Sequence, residues 1–331
     1  MTKTNILSLF PEEIEAEPAY RRKQIFAWIG KRGARSFDEM TDLPKGLRAE
    51  LAERYTLDAA EETERRVSAD GTEKILWTLS DGERIETALM RYRHGTSVCV
   101  STQAGCRQGC AFCASGSHGL SRNLSAGEIL AQVLYCGESV NHAVMMGTGE
   151  PLDNFDESVR FIRLVSHPEG RGLSLRSISL STCGDAEGII KLSELGLPVT
   201  LSVSLHAPDD ETRSRIMPVN RKYPVQTLLA ACKKFFENTG RRISFEYVII
   251  DQLNDSPAHA KRLAALLGKY PAHVNLIPYN PVPGKAFAAP GKETALRFAR
   301  ELGGIPVTVR RTLGSDIDAA CGQMRSSKNP M

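Results

Sequence analysis

From Ser97 onward, short apolar runs alternate with stretches whose apolar residues recur every three or four positions. The runs 97–102, 142–147, 177–182, 199–205, 243–249 and 273–277 read as strands, and 126–138, 154–166, 186–195, 225–238 and 257–268 as amphipathic helices. Ser125 and Glu128 form a capping-box pair that starts the first of these helices. Such alternation predicts right-handed βαβ units and a parallel sheet. Six units are too few for an eight-stranded barrel, so the expected fold is α/β, an open or partial (β/α)6 barrel over 96–285. A Pro/Gly-rich loop at 278–292 leads to a C-terminal extension over 286–331, with one further strand near 306–311. Upstream, 1–70 is charged and helical in pattern, with turn signals at Gly30, Gly33, Pro44 and Gly46, and predicts a small helical domain. Between the two, 74–79 and 84–90 flank Ser80-Asp81-Gly82-Glu83 and predict a β-hairpin within a linker over 71–95.

Parallel α/β architectures gather their functional residues at the carboxyl ends of strands. Cys106 follows the first expected strand, and Met146-Gly147-Thr148-Gly149-Glu150-Pro151 the second. Ser181-Thr182-Cys183-Gly184 follows the third, Ser204-Leu205-His206-Ala207-Pro208 the fourth and Tyr279-Asn280-Pro281 the sixth. One such loop is ordinary turn chemistry. Five on one rim describe a site.

The thiols say what kind. Cys106, Cys110 and Cys113 stand in a C-x3-C-x2-C loop with no fourth ligand beside them. Structural zinc takes four N/S ligands, and fully ligated iron–sulfur clusters four cysteines. Three thiolates on three irons of one 4Fe–4S cubane would leave the fourth iron open to a small molecule; the alternative is a zinc loop completed by His118. Cys136, Cys183 and Cys232 read as small buried hydrophobes. Cys321, between Ala319-Ala320 and Gly322, has small neighbours that suit a nucleophile.

Composition narrows the setting. With 41% hydrophobic and 24% charged residues the chain is ordinary soluble material, and a net charge of +3 permits a polyanionic partner without announcing one. Arg21, Arg22, Lys23, Lys31, Arg32 and Arg35 cluster around Phe26 and Trp28; this is either a nucleic-acid footprint or a solvated helix face. Eight cysteines, with no export signal and no membrane-length apolar run, point to the reducing cytoplasm and to no membrane partner.

The cluster loop resembles the CxxxCxxC motif of the radical S-adenosylmethionine (SAM) superfamily. Beyond it, the chain is similar to the RlmN/Cfr group of radical SAM RNA methyltransferases. The resemblance is carried by Gln103-Ala104-Gly105-Cys106, Arg122-Asn123-Leu124, Met145 to Leu152, Ser204 to Pro208, Asn275 to Pro281 and Asp316 to Gln323. It implies that Cys106, Cys110 and Cys113 hold a 4Fe–4S cluster, and that Gly149, Glu150, Ser181, Ser204, Leu205, His206 and Asn280 contact SAM. It implies that Cys321 accepts a methyl group, Glu86 removes a ring proton, and Cys99 resolves a protein–RNA intermediate, leaving a Cys99–Cys321 disulfide. Two SAM molecules would be consumed per turnover. The implied substrates are adenines in the peptidyl-transferase region of 23S rRNA and next to the anticodon of tRNA. Methylation at C2 is expected, C8 being the alternative within the group. The expected electron donor is a low-potential protein such as flavodoxin, and the expected state a monomer. Leu313 departs from the pattern, standing where relatives often carry a basic residue. A noncatalytic iron–sulfur RNA-binding protein is the reading outside enzymology.

Overall fold

The computed structural model describes residues 3–117, 119–291, 293–319 and 323. Its first segment comprises strand β1 (Thr4–Asn5), helices α1 (Tyr20–Gly30) and α2 (Lys45–Arg54), and strand β2 (Tyr55–Thr56), parallel to β1. The expected helical region stops there. Glu61–Val67 is strand β3, paired antiparallel with β4 (Glu73–Thr78). Its composition favours a helix, but cross-strand pairing overrides propensity. Arg65 bridges Glu62 and Glu73, and the Thr63 hydroxyl meets that of Thr78 at 2.8 Å. The charges of β3 suit its place at the sheet edge.

β4 turns into β5 (Arg84–Tyr92), which is the expected hairpin. It is not a linker, because β5 pairs antiparallel with β6 (Gly95–Cys99), the first strand of the parallel series. A small antiparallel pair that the hydrophobic pattern did not predict follows, β7 (Gln103–Gly105) and β8 (Leu120–Asn123). The expected alternation then runs α3 (Ala126–Leu134), β9 (His142–Met145), α4 (Phe155–Ser166), β10 (Ile178–Thr182), α5 (Ala186–Glu194) and β11 (Thr200–Ser204). It continues with α6 (Asp210–Ile216), α7 (Val225–Thr239), β12 (Ile243–Ile249), α8 (Pro257–Leu267), β13 (Ala272–Pro278), α9 (Thr294–Glu301) and β14 (Val307–Val309). The capping box at Ser125 and Glu128 is formed.

One sheet results, ordered β14-β13-β12-β11-β10-β9-β6-β5-β4-β3, parallel from β14 to β6 and antiparallel beyond. Alternate residues sort its faces. Ile243, Phe245, Tyr247 and Ile249 of β12 face the helices and join the core, while Ser244 and Glu246 face inward. Ser179, Ser202 and Asn275 face inward too. A closed barrel fills its interior with branched apolar side chains; this open one keeps a polar interior, and its carboxyl-end mouth holds the site.

Candidate functional site

The cluster loop hangs between β7 and β8. Gly105 closes it at φ +78, where an added Cβ would lie 2.0 Å from the Gly119 carbonyl oxygen, so only glycine fits. The Cys106 amide donates to that carbonyl at 2.9 Å, and the Ala111 amide donates to Ile216 O at 2.9 Å. Arg107 and Gln108 tie the loop to Asp153 at 3.0 and 2.8 Å. The three thiols thereby line one wall of a cavity of about 160 Å³.

The opposite wall is Met146 to Pro151. Gly147 packs on Val100, where a Cβ would come within 2.7 Å of the carbonyl, and Gly149, at φ +109, packs as closely on Gln103. These contacts explain both glycines of the motif. Glu150 follows, buried; its carboxylate accepts from the Cys183 amide at 2.7 Å and from the Leu152 amide at 3.1 Å. Burial outweighs those bonds and raises its pKa to about 7.

Ser181, Ser204 and His206 also line it. His206 sits at φ +57; its Nδ1 accepts from the Val248 amide at 3.0 Å, and Phe112 meets its ring edge-on at 4.9 Å. Burial, aided by the charge of Arg213, pushes its pKa down to about 3, so the ring is neutral.

Leu205 does not line this cavity. Its side chain is in the core, its amide donates to Glu246 O, and its carbonyl accepts from Arg213. Asn280 lines an adjoining cavity with Cys99, Ala88 and Ala319, which shares Met146, Ile277 and Arg310 with the first. Cys99 packs against Ala88 and Ala319. Glu86, on the Ala88 side of β5, is buried with its carboxylate 3.0 Å from Lys74 Nζ. Cys321 lies outside the described residues, as does His118. Of the described residues nearest Cys321 in sequence, Ala319 packs beside Cys99, and Gln323 donates from Nε2 to Pro281 O at 3.0 Å. Every described cysteine is a thiol, so the expected disulfide partner of Cys99 also falls outside them.

Several residues in these walls were given no role by the sequence, although Cys183 and Tyr279 stand in loops expected on the rim. Cys183, read as core, faces the cavity beside Glu150. Tyr279 lines it with a buried hydroxyl that has no hydrogen-bond partner among the described residues. Glu246, buried and held by Asn275 Nδ2 at 2.7 Å, faces Arg310 at 3.9 Å. A charge inside the apolar run 243–249 was its available signal. Arg213 had no such signal. It is fully buried and donates to Cys183 O, Ser204 O and Leu205 O at 2.6, 3.1 and 3.0 Å. The N-terminal basic run is largely spent on the protein itself. Arg22 pairs with Glu17, Lys23 with Glu169 at 2.7 Å, and Arg35 donates to Tyr135 O at 3.0 Å. Phe26 is core, packed edge-on against His167 at 4.9 Å, which removes it as a base-stacking residue.

Residues 100–264 match the family model of the Radical SAM superfamily, and residues 2–57 that of the Ribosomal RNA large subunit methyltransferase N-terminal domain. A probable dual-specificity RNA methyltransferase RlmN of Desulforamulus reducens is 48% identical, covering 99% of this chain and 98% of its own. The chain belongs to the RlmN family of radical SAM RNA methyltransferases. A second RlmN relative, from Symbiobacterium thermophilum, is 48% identical over 94% of this chain and 86% of its own. The crystal structure of a radical SAM methyltransferase from Sphaerobacter thermophilus superposes with a TM-score of 0.94 at 44% identity, covering 97% of this chain and 99% of that one.

The RlmN family's cluster and SAM fit the residues present. Burial pushes the Cys106 thiol up to about 12 and Cys110 higher still, so their ionisation needs cationic charge in the cavity. Among the described residues no three His, Cys, Asp or Glu side chains converge on a single ion. Glu150 and the orphaned Tyr279 hydroxyl are polar groups of this cavity suited in chemistry to a zwitterion such as SAM. None of the described helices is long and apolar enough to cross a membrane.

Proposed function

We propose that this chain methylates adenine at C2, in the peptidyl-transferase region of 23S rRNA and next to the anticodon of tRNA, through a transient covalent bond between Cys321 and the base. What carries the reading is the second cavity. Cys99 lines it, Glu86 lies on the same face of the neighbouring strand, and Ala319, two residues before Cys321, lines it beside Cys99.

Cys106, Cys110 and Cys113 hold the cluster, and Gly149, Glu150, Ser181, Ser204, His206 and Asn280 hold SAM, with Leu205 contributing only its place in the loop. When bound, the cluster supplies an electron, and SAM, two molecules per turnover, supplies a methyl group and a hydrogen-abstracting carbon radical. The remaining steps belong to the protein. Cys321 receives the methyl, whose carbon gives up one hydrogen to that radical and bonds C2, and the odd electron of the adduct would return to the cluster. Glu86 takes the C2 proton, and Lys74, at 3.0 Å, stabilises the carboxylate before that transfer. The Cys99 thiolate attacks the Cys321 sulfur and breaks its bond to the methylene carbon, which takes a proton to become the methyl of the released methyladenine; a disulfide is left, and two electrons from cellular thiols reset the pair. Apolar neighbours, the buried Ala88 and Ala319 and the half-buried Met146, keep water from the intermediate. The target base must leave its stack to enter such a site. The N-terminal domain and the mouth are the RNA-holding surfaces in this reading, with a low-potential protein such as flavodoxin as reductant.

Nucleoside mass spectrometry of total RNA from cells with and without the gene tests this. Loss of 2-methyladenosine is expected. Loss of 8-methyladenosine instead would overturn the regiochemistry, and loss of neither the whole assignment.

A further inference from the structure

The segment leading to Cys321 is held by a part of the protein that the reaction itself does not use. The β3–β4 turn, residues 68–72, grips residues 314–318 at three points. Asp316 accepts from the Ser68 hydroxyl at 2.5 Å and from the Ala69 amide at 3.1 Å. Asp70 Oδ2 accepts from the Gly314 amide at 2.8 Å, while its other oxygen caps the turn by accepting from the Thr72 amide at 2.8 Å. Lys74 Nζ, already paired with Glu86, also reaches Asp318 O at 3.4 Å. The segment is itself folded to fit. Gly314 is at φ +66, and a Cβ there would come within 2.9 Å of both Ala319 and Thr72. The Ala319 amide closes the turn onto Gly314 O at 2.8 Å, which sets Ala319 against Cys99.

We propose that the β3–β4 turn is a dock for the C-terminal arm, with Ser68 and Asp70 as positioning residues that set where Cys321 is presented relative to Cys99 and Glu86. The inference rests on the reading of Cys321 as the methyl-bearing residue. Lys74 joins dock and base: one ammonium contacts both the Glu86 carboxylate and the backbone of the arm, so the group that removes the proton is placed by the contact that places the arm. The arrangement also gives β3 a purpose, since this strand stands outside the parallel series and carries the turn to the mouth. Neither Ser68 nor Asp316 lines the cluster cavity. Their loss therefore leaves cofactor binding alone while loosening the arm.

The test uses the full chain with its cluster reconstituted, as wild type, Ser68→Ala, Asp316→Ala and the double variant, with Ser68→Thr as the conservative control. Amide exchange across 312–319 is expected to rise roughly tenfold in each alanine variant, because each breaks a hydrogen bond to a carboxylate. The double variant should be no worse than Asp316→Ala alone, since that carboxylate takes both the Ser68 hydroxyl and the Ala69 amide. Reductive cleavage of SAM, read as 5′-deoxyadenosine release, should hold within about twofold while methyl transfer to RNA drops by about tenfold or more. Ser68→Thr should restore both exchange and transfer. Unchanged exchange, additive single effects, or cleavage that falls in step with transfer would each overturn the dock. If the wild type itself methylates no RNA, the functional reading fails, and the exchange measurement still decides whether the arm is docked.

Discussion

Glu150 shows how one side chain carries a measurable consequence. Burial places its pKa at about 7, above its ordinary value of 4.5. The protonated form accepts poorly from an ammonium, whereas the ionised form makes a charge-assisted bond to it. In the proposed role of Glu150 against the SAM ammonium, binding therefore favours ionisation and releases a proton. The sign follows: affinity is full above pH 7 and falls as pH drops through it, by up to about tenfold per unit. Calorimetric titration in buffers of different ionisation heats should detect that proton near pH 7. In Glu150→Gln the proton release should vanish, and affinity at pH 8 should weaken by about tenfold or more. Equal affinity at pH 6 and pH 8 in the wild type would refute this role for Glu150. Residues of this kind are legible when spacing or a motif marks them, as the three cysteines and the run Gly147 to Glu150 are. Tyr279 and Cys183 were expected on the rim from their places after strands, but only the folded walls show that their side chains face the cavity.

At the scale of elements, strand and helix positions were legible because each has its own hydrophobic period, and every expected strand and helix of the barrel forms. The misread elements are those whose stability comes from partners. β3 is held by its pairing with β4, and β7 with β8 is too short to show a period. Arg213 belongs here as well, because it joins elements that sequence cannot bring together. From α6 it reaches carbonyls that end β10 and β11, and its Nη1 meets Asn220 Oδ1 at 2.8 Å. Burial pushes its pKa below the ordinary value, which marks the cost of keeping this cation inside. Removing it strands three buried carbonyls, at about 1–3 kcal/mol each. Arg213→Ala should therefore lose at least about 3 kcal/mol of stability in urea unfolding and should load its cluster poorly. Arg213→Lys should recover only part, because one ammonium cannot span the same carbonyls as a planar guanidinium. A loss below about 1 kcal/mol in the alanine variant would mean that the loops hold their places without it.

The whole molecule is less divided than its sequence suggests. A charged helical N-terminus, a hairpin and a barrel read as separable units, yet their apolar residues form one continuous core. Ile6, Leu7, Ile14, Ile25, Phe26 and Ile29 are each at most 3% exposed. Polar contacts reinforce the junction: Ser8 Oγ accepts from the Gly127 amide at 2.9 Å, and Arg160 Nε donates to Ser8 O at 2.6 Å. The approach is close enough that a Cβ on Gly30 would lie 2.5 Å from Gly170 Cα. Full burial of six such side chains contributes about 1.5–3 kcal/mol each, which sums to the order of a domain's entire net stability. Residues 1–57 should therefore behave as part of the barrel's folding unit rather than as a tethered RNA-binding module. Amide exchange of α1 and of β12, followed together against urea, should converge on one opening free energy and one midpoint. Deleting 1–57 should give an aggregating chain rather than a soluble barrel. If α1 opens well before β12, or the deletion yields a folded barrel that still loads its cluster, the shared core is not what holds this molecule together.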